Sequence, residues 1–176
     1  VDQLQAACNF LGNTIRGGGK ILFVGTKKQA QPIVRELAET HKQHFVTDRW
    51  LGGMLTNLKT VKQRLKRLKE IEAMEEDGSI AGYVKQEQAS IRREKQRLVK
   101  NLGGIRHMDS TPDAMFVVDI KREHNAIAEA RKLRIPIVAL VDTNCDPELV
   151  DYPIAGNDDA IKAIQVIADA IGETIT

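Results

Sequence analysis

The chain has 176 residues, 42% of them hydrophobic and 28% charged, with a net charge of +2. That is about one domain's length, enough to bury roughly two thirds of the unfolded surface without a disulfide or metal staple. The apolar run Ile135 to Val141 falls far short of the ~18 residues that span a bilayer. The first residues have neither the basic start nor the apolar centre of a signal peptide. Cys8 and Cys145 sit in no metal or redox spacing, which fits a reducing cytoplasm. Membrane, disulfide-framework and collagen-like classes are excluded.

The apolar residues Val1, Leu4, Cys8, Leu11 and Ile15 form one stripe, so residues 1–15 read as an amphipathic helix stopped by Gly17-Gly18-Gly19. Lys20 to Thr26 reads as a buried strand, Ala30 to Thr40 as a helix with Pro32 in its first turn, and His44 to Thr47 as a short strand. Ala114 to Asp119 and Pro136 to Asp142 are further strands, with a helix over Glu123 to Leu133 between them. After the turn-rich Asn144-Cys145-Asp146-Pro147, Tyr152 to Gly156 gives a fifth strand. A last helix is capped near Asn157 or Asp158 and carries Ile161, Ile164, Ala168 and Ile171 on its stripe. Alternating strands and helices predict an α/β, doubly wound, five-stranded parallel sheet in the order 2-1-3-4-5.

The middle of the chain breaks that rhythm. Leu58, Val61, Leu65 and Leu68 take heptad positions in a helix from Leu55 to about Met74, which Glu75 to Ser79 should break. Val84, Gln88, Ile91, Lys95, Leu98 and Leu102 repeat the spacing in a second helix from Tyr83 to Leu102. The pair predicts an inserted antiparallel helical hairpin, a coiled coil weakened by Gln88 and Lys95 on its seam. Residues 1–54 and 103–176 are then two parts of one α/β domain, and 55–102 the insertion. Residues 57–106 hold 13 Lys/Arg against 7 Asp/Glu, a net of +6 that leaves the remainder at −4. A basic arm on a mildly acidic body suits a polyanion partner, although a solvated Lys/Glu-rich helix face is the commoner meaning of such a pattern. Seven aromatic residues are too few for reading bases by stacking, so a nucleic-acid partner would be held by phosphate and shape.

Gly25-Thr26-Lys27-Lys28 follows the first strand where doubly wound folds bind phosphate, without dinucleotide or P-loop spacing. Asp48, Asp119 and Asp142 fall at strand ends. Asp119 and Asp142, on neighbouring strands, could share a magnesium ion with Lys27 nearby, which keeps a phosphotransfer or hydrolase domain as the alternative function. His41, His44, His107 and His124 form no ligand set. Asp48 to Asn57 (DRWLGGMLTN) places the only Trp beside Arg49, before a Gly pair and a helix start that Thr56 or Asn57 can cap. Trp50 is the expected anchor of the hairpin and Arg49 a phosphate contact.

These segments resemble the bacterial-type family of the second small-subunit ribosomal protein. The resemblance is carried by ILFVGTKKQA at Ile21 to Ala30, DRWLGGMLTN, LGGI at Leu102 to Ile105, TPDAMFVVD at Thr111 to Asp119, IPIVALVDTNCDP at Ile135 to Pro147 and YPIAGNDDA at Tyr152 to Ala160. It implies a flavodoxin-like sheet domain with an inserted helical hairpin of the bacterial or organellar kind. It also implies a non-enzymatic structural constituent of the small subunit with no cofactor. Its implied partners are small-subunit ribosomal RNA and neighbouring small-subunit proteins, including the large first one. Lys27, Lys28, Arg49, Lys59, Lys62, Arg64, Lys66, Arg67, Arg92, Arg93 and Lys95 become the candidate RNA contacts. The chain departs from the family by starting inside the helix that follows the usual N-terminal segment, so it reads as a fragment. His107 to Thr111 (HMDST) also departs from the common wording.

Overall fold

A computed structural model describes residues 2–142, 145–157 and 159–176. Val1, Asn144 and Asp158 of the readings above lie outside the described residues.

The strands are β1 (Ile21–Val24), β2 (His44–Val46), β3 (Ala114–Val118), β4 (Ile137–Val141) and β5 (Tyr152–Ala155). The helices are α1 (Asp2–Arg16), α2 (Gln31–Thr40), α3 (Leu58–Asp77), α4 (Lys85–Leu102), α5 (His124–Lys132) and α6 (Ile161–Ile175). All strand pairs are parallel, in the order β2-β1-β3-β4-β5, as the alternation predicts. β1, β3 and β4 are buried along their whole length, which is why they read as unbroken apolar runs.

Side chains alternate between two cores with the period of two that a strand imposes. Ile21, Phe23, Phe116, Val138 and Leu140 face α1, α2 and α6. Leu22, Val24, Met115, Val117, Ile137 and Ala139 face α5, Trp50 and the first turns of α3. Each fully buried Leu, Ile or Phe here contributes about 1.5–3 kcal/mol of transfer free energy. Val61, Leu65 and Leu102 belong to this second core, so the base of the α3–α4 pair is part of the packing on the sheet. Only Ile71, Ile80 and Ile91, with Met74 and Leu98 beside them, form a separate cluster farther out.

The helical middle differs from its pattern in particulars. α3 runs through Glu75 and Glu76 to Asp77, because both glutamates favour helix, and stops at Gly78 in the left-handed conformation. Ser79–Gly82 form a single 3-10 turn, and α4 begins at Lys85. Val84 is therefore off the seam and 65% exposed, while Ile80 fills the place beside Ile71. The polar seam residues are satisfied: Gln88 donates to the Tyr83 carbonyl at 2.7 Å and Lys95 pairs with Glu75 at 3.0 Å. Arg67 and Glu75, eight residues apart on α3, pair with the adjacent Glu94 and Lys95 of α4.

Neither predicted cap of α3 acts as one. Asn57 occupies the cap position without a side-chain bond, and the Thr56 hydroxyl is used elsewhere. α6 starts later than expected, at Ile161 after Ala160, because Asn157 Oδ1 accepts the Asp159 N–H and closes a turn first. Ile161 shares a face with Ala168 but opens the helix beyond its packed part, and it is exposed. Ile167 and Ile175 complete the buried stripe.

Candidate nucleic-acid interface

The DRWLGGMLTN segment is organised by a residue that its own sequence does not contain. Glu129 of α5 accepts the Trp50 indole N–H at 2.8 Å and the Gly53 N–H at 3.0 Å on Oε2. Its Oε1 accepts the Leu55 and Thr56 N–H groups and the Thr56 hydroxyl at 3.0–3.1 Å. Gly53 has φ +88°, which a side chain would resist, and this turns the neighbouring N–H groups toward one point. One carboxylate from α5 thus collects the donors that precede α3, in place of a local cap. Burial pushes Glu129 upward, but Trp50 and the N–H groups of Thr56, Leu55 and Gly53 outweigh it and hold the carboxyl below its usual range. Trp50 anchors the start of the hairpin to the sheet domain, as expected, while the adjacent Arg49 stays exposed.

At the strand ends, Lys27 is drawn inward. Its Nζ pairs with Asp119 at 3.0 Å and with Asp159, leaving its side chain 14% exposed. Lys28 beside it is exposed. Asp119 also accepts the Arg122 N–H at 3.1 Å. Thr26 accepts from Arg122 Nε and donates to Glu123, whose Oε2 has no hydrogen-bond partner. Burial raises the Glu123 carboxyl above its usual range, against the opposing pull of Thr26 and Arg122. Asp119 is thus engaged by a lysine and an N–H. Among the described residues, no three His, Cys, Asp or Glu side chains converge to hold a metal ion.

The hairpin cations fall into two sets. Arg67 makes a two-pronged pair with Glu94 at 2.9 and 3.2 Å, and Lys95 is held by Glu75. The Arg67 hydrogen bonds hold Glu94 below its usual range, and Glu94 raises Arg67 in return. Lys59, Lys62, Arg64, Lys66, Arg92 and Arg93 are exposed and make no ion pair with a described residue. At about 100° per residue, Lys59, Lys62 and Lys66 share one stripe of α3, with Arg64 on another side. Lys69 continues that stripe and was not singled out in the sequence; its three-residue step from Lys66 was the available signal. On α4, Arg93 lines a shallow depression with Gln96, Arg97 and Lys100, opposite the face that buries Ile91. Arg97 and Lys100 were likewise missed, although a four-residue step from Arg93 and a three-residue step from Arg97 mark them.

The family described as Ribosomal protein S2 matches the chain over residues 1–176. The chain belongs to the ribosomal protein S2 family. A curated relative, the small ribosomal subunit protein uS2 of Solidesulfovibrio magneticus, is 54% identical over 169 residues, which cover 96% of this chain and 66% of the relative. The chain thus spans just under two thirds of that relative's length. The family is one of structural ribosomal proteins and not of enzymes, which removes the magnesium-dependent phosphotransfer reading of Asp119 and Asp142. Among the described residues, no helix is long and apolar enough to cross a membrane.

Proposed function

We propose that this chain is a structural constituent of the small ribosomal subunit that holds ribosomal RNA through phosphate and shape contacts and so supports subunit assembly and translation. In this reading the sheet domain, residues 1–54 with 103–176, is the rigid body and residues 55–102 are its basic arm. The setting in this reading is the ribosome, in the cytoplasm for a bacterial-type chain, with the large first small-subunit protein among its neighbours; membership of the S2 family supports the ribosomal part. The observation that carries the RNA contact is the lysine stripe Lys59, Lys62, Lys66 and Lys69, exposed and without internal acidic partners. Unpaired cations on a helix whose opposite face is packed do nothing for the fold that neutral residues could not, and they suit a phosphate backbone. Lys28, Arg49, Arg64, Arg92 and Arg93 extend the set. Lys27, Arg67 and Lys95 reach RNA only by giving up an internal ion pair.

The test is salt dependence. If about six of these cations neutralise phosphates, log affinity for small-subunit RNA falls against log salt with a slope of about −4 to −5. Reversing Lys59, Lys62 and Lys66 to Glu weakens incorporation into subunits on a sucrose gradient and leaves the melting temperature within a few degrees of the parent. Unchanged incorporation, or a slope near zero, removes the reading.

A further inference from the structure

Three depressions run along the β2 edge of the sheet. The first, about 650 Å³, lies at the N-terminal ends of β1 and β2 and is lined by Lys20, Lys42 and Arg106. The second, about 580 Å³, shares Glu39, Phe45, Gly103, Gly104 and Arg106 with the first and adds Arg35 and Lys100. The third, about 390 Å³, is the Arg93, Arg97 and Lys100 face of α4, and it meets the second at Lys100. Every one of these volumes falls in the range that admits a small organic group such as one nucleotide. Seven Lys/Arg line the three together, against four acids: Glu39, Asp48, Asp109 and Asp113. Two of those acids are already engaged, and so are two of the cations, Arg106 by Glu72 at 3.3 Å and Lys100 by Asp48. Asp113 accepts the Lys20 backbone N–H at 2.8 Å, and Asp48 lies 3.7 Å from Lys100.

One feature makes this a built surface. A Cβ on Gly104 would come 2.0 Å from the Phe45 carbonyl oxygen, so the chain there is pressed onto β2 and forms a fixed rib between the first two depressions. Lys42 has φ +55°, the left-handed position that ends α2 just as Arg134 at φ +58° ends α5, and it is exposed.

We propose that the β2 edge is a second RNA site, a groove that takes a single strand and tracks its phosphates from α4 to the ends of β1 and β2. The proposal rests on the RNA-binding reading above but concerns residues outside the α3 lysine stripe. A duplex is too wide for depressions of this size, and the half-buried Phe45, pressed by Gly104, is the one Phe, Tyr or Trp among the described residues that line them. Recognition is therefore electrostatic and tolerant of sequence. Among the described residues, Val99 is the single large apolar side chain both lining the groove and exposed, which disfavours a protein partner.

The experiment measures fluorescence anisotropy of a labelled oligouridylate about 16 nucleotides long, and of a fully paired RNA stem-loop, across a salt series. Two variants are compared with the parent: a groove triple (Arg35→Gln, Lys42→Asn, Arg97→Gln) and a stripe triple (Lys59→Gln, Lys62→Gln, Lys66→Gln). The groove triple is expected to bind oligouridylate about tenfold more weakly, with a log–log salt slope shallower by about 2. Its stem-loop affinity stays near the parent's, and the stripe triple weakens the stem-loop. Lys42→Asn alone keeps the backbone conformation, so its melting temperature holds while oligouridylate affinity falls, and this reads the groove even if the triple folds poorly. If the groove variants bind oligouridylate like the parent while the stripe triple loses affinity, the groove is overturned and the first reading stands. If neither set changes binding, both are overturned. Displacement of oligouridylate by polyglutamate as readily as by unlabelled oligouridylate overturns the assignment to RNA.

Discussion

Glu129 on α5 and Glu123 just before it are six residues apart, and they meet opposite environments. Glu129 receives five donors across its two oxygens and is held as an anion. Glu123 is 3% exposed, uses one oxygen on Thr26 and leaves the other without a partner. Burial alone therefore does not decide what a carboxylate contributes. The number of donors aimed at it does, since each charge-assisted bond offsets part of the desolvation that burial imposes. Glu129 joins two distant stretches of chain, while Glu123 is held in place by its neighbours at some cost to the fold.

Removing each side chain should break this contrast in opposite directions. Glu129→Ala strands the Trp50, Gly53, Leu55 and Thr56 donors together and should cost about 2–4 kcal/mol. Chemical denaturation would measure the loss, and the Trp50 fluorescence should shift to the red as the loosened loop lets water reach the indole. Trp50→Phe keeps most of the ring packing and removes one of the five donors, so a loss of about 1–1.5 kcal/mol is expected. A loss as large as that of Glu129→Ala would mean that packing, and not the carboxylate, holds the loop.

Glu123→Gln should act with the other sign. A carboxyl raised in the folded state contributes stability below its unfolded value of about 4.3 and loses it as pH rises toward the folded value. The variant, having no proton to lose, should therefore match the parent near pH 4 and become the more stable of the two as pH rises. A parent more stable than the variant at pH 7 would sink the account. Glu129, held low, keeps its contribution above about 4.3 and loses it as pH falls through its folded value. The two carboxylates thus act in separate pH windows. The smallest effect belongs to Arg67→Met. Its pair with Glu94 is more than a third exposed on both sides, and about 0.2–1 kcal/mol at low salt, vanishing at high salt, is expected from thermal melts.

The sequence revealed what is local and periodic. β1, β3 and β4 were legible because strands buried on both faces must be apolar throughout, and their alternation with helices allowed few sheet orders. Trp50 was legible as an anchor because a lone Trp before a Gly pair has few other uses. Its partner was not, since Glu129 lies 79 residues away in a helix whose acids look like ordinary surface charge. Glu123 left a faint trace: it falls on the apolar stripe of Ala126 and Ala130, where an acid is out of place. The cations could be counted but not sorted, because pairing depends on which acids the fold brings near. Thus Lys95 and Arg67 turned inward, while Lys69 and Arg97, of the same composition and spacing, stayed exposed. The β2-edge clefts gather Lys20, Arg35, Lys42 and Arg106 from four separate segments, and no pattern in one dimension connects them.

The separation of 73 residues between Thr56 and Glu129 also sets a clock on synthesis. At about 5–20 residues per second, about 4–15 s pass between the making of Thr56 at the root of α3 and the making of the carboxylate that fixes it, and Glu129 must then clear the exit tunnel as well. During that interval the nascent chain presents its lysines without the joint that orients them, so their capture by any nearby polyanion competes with the closing of that joint.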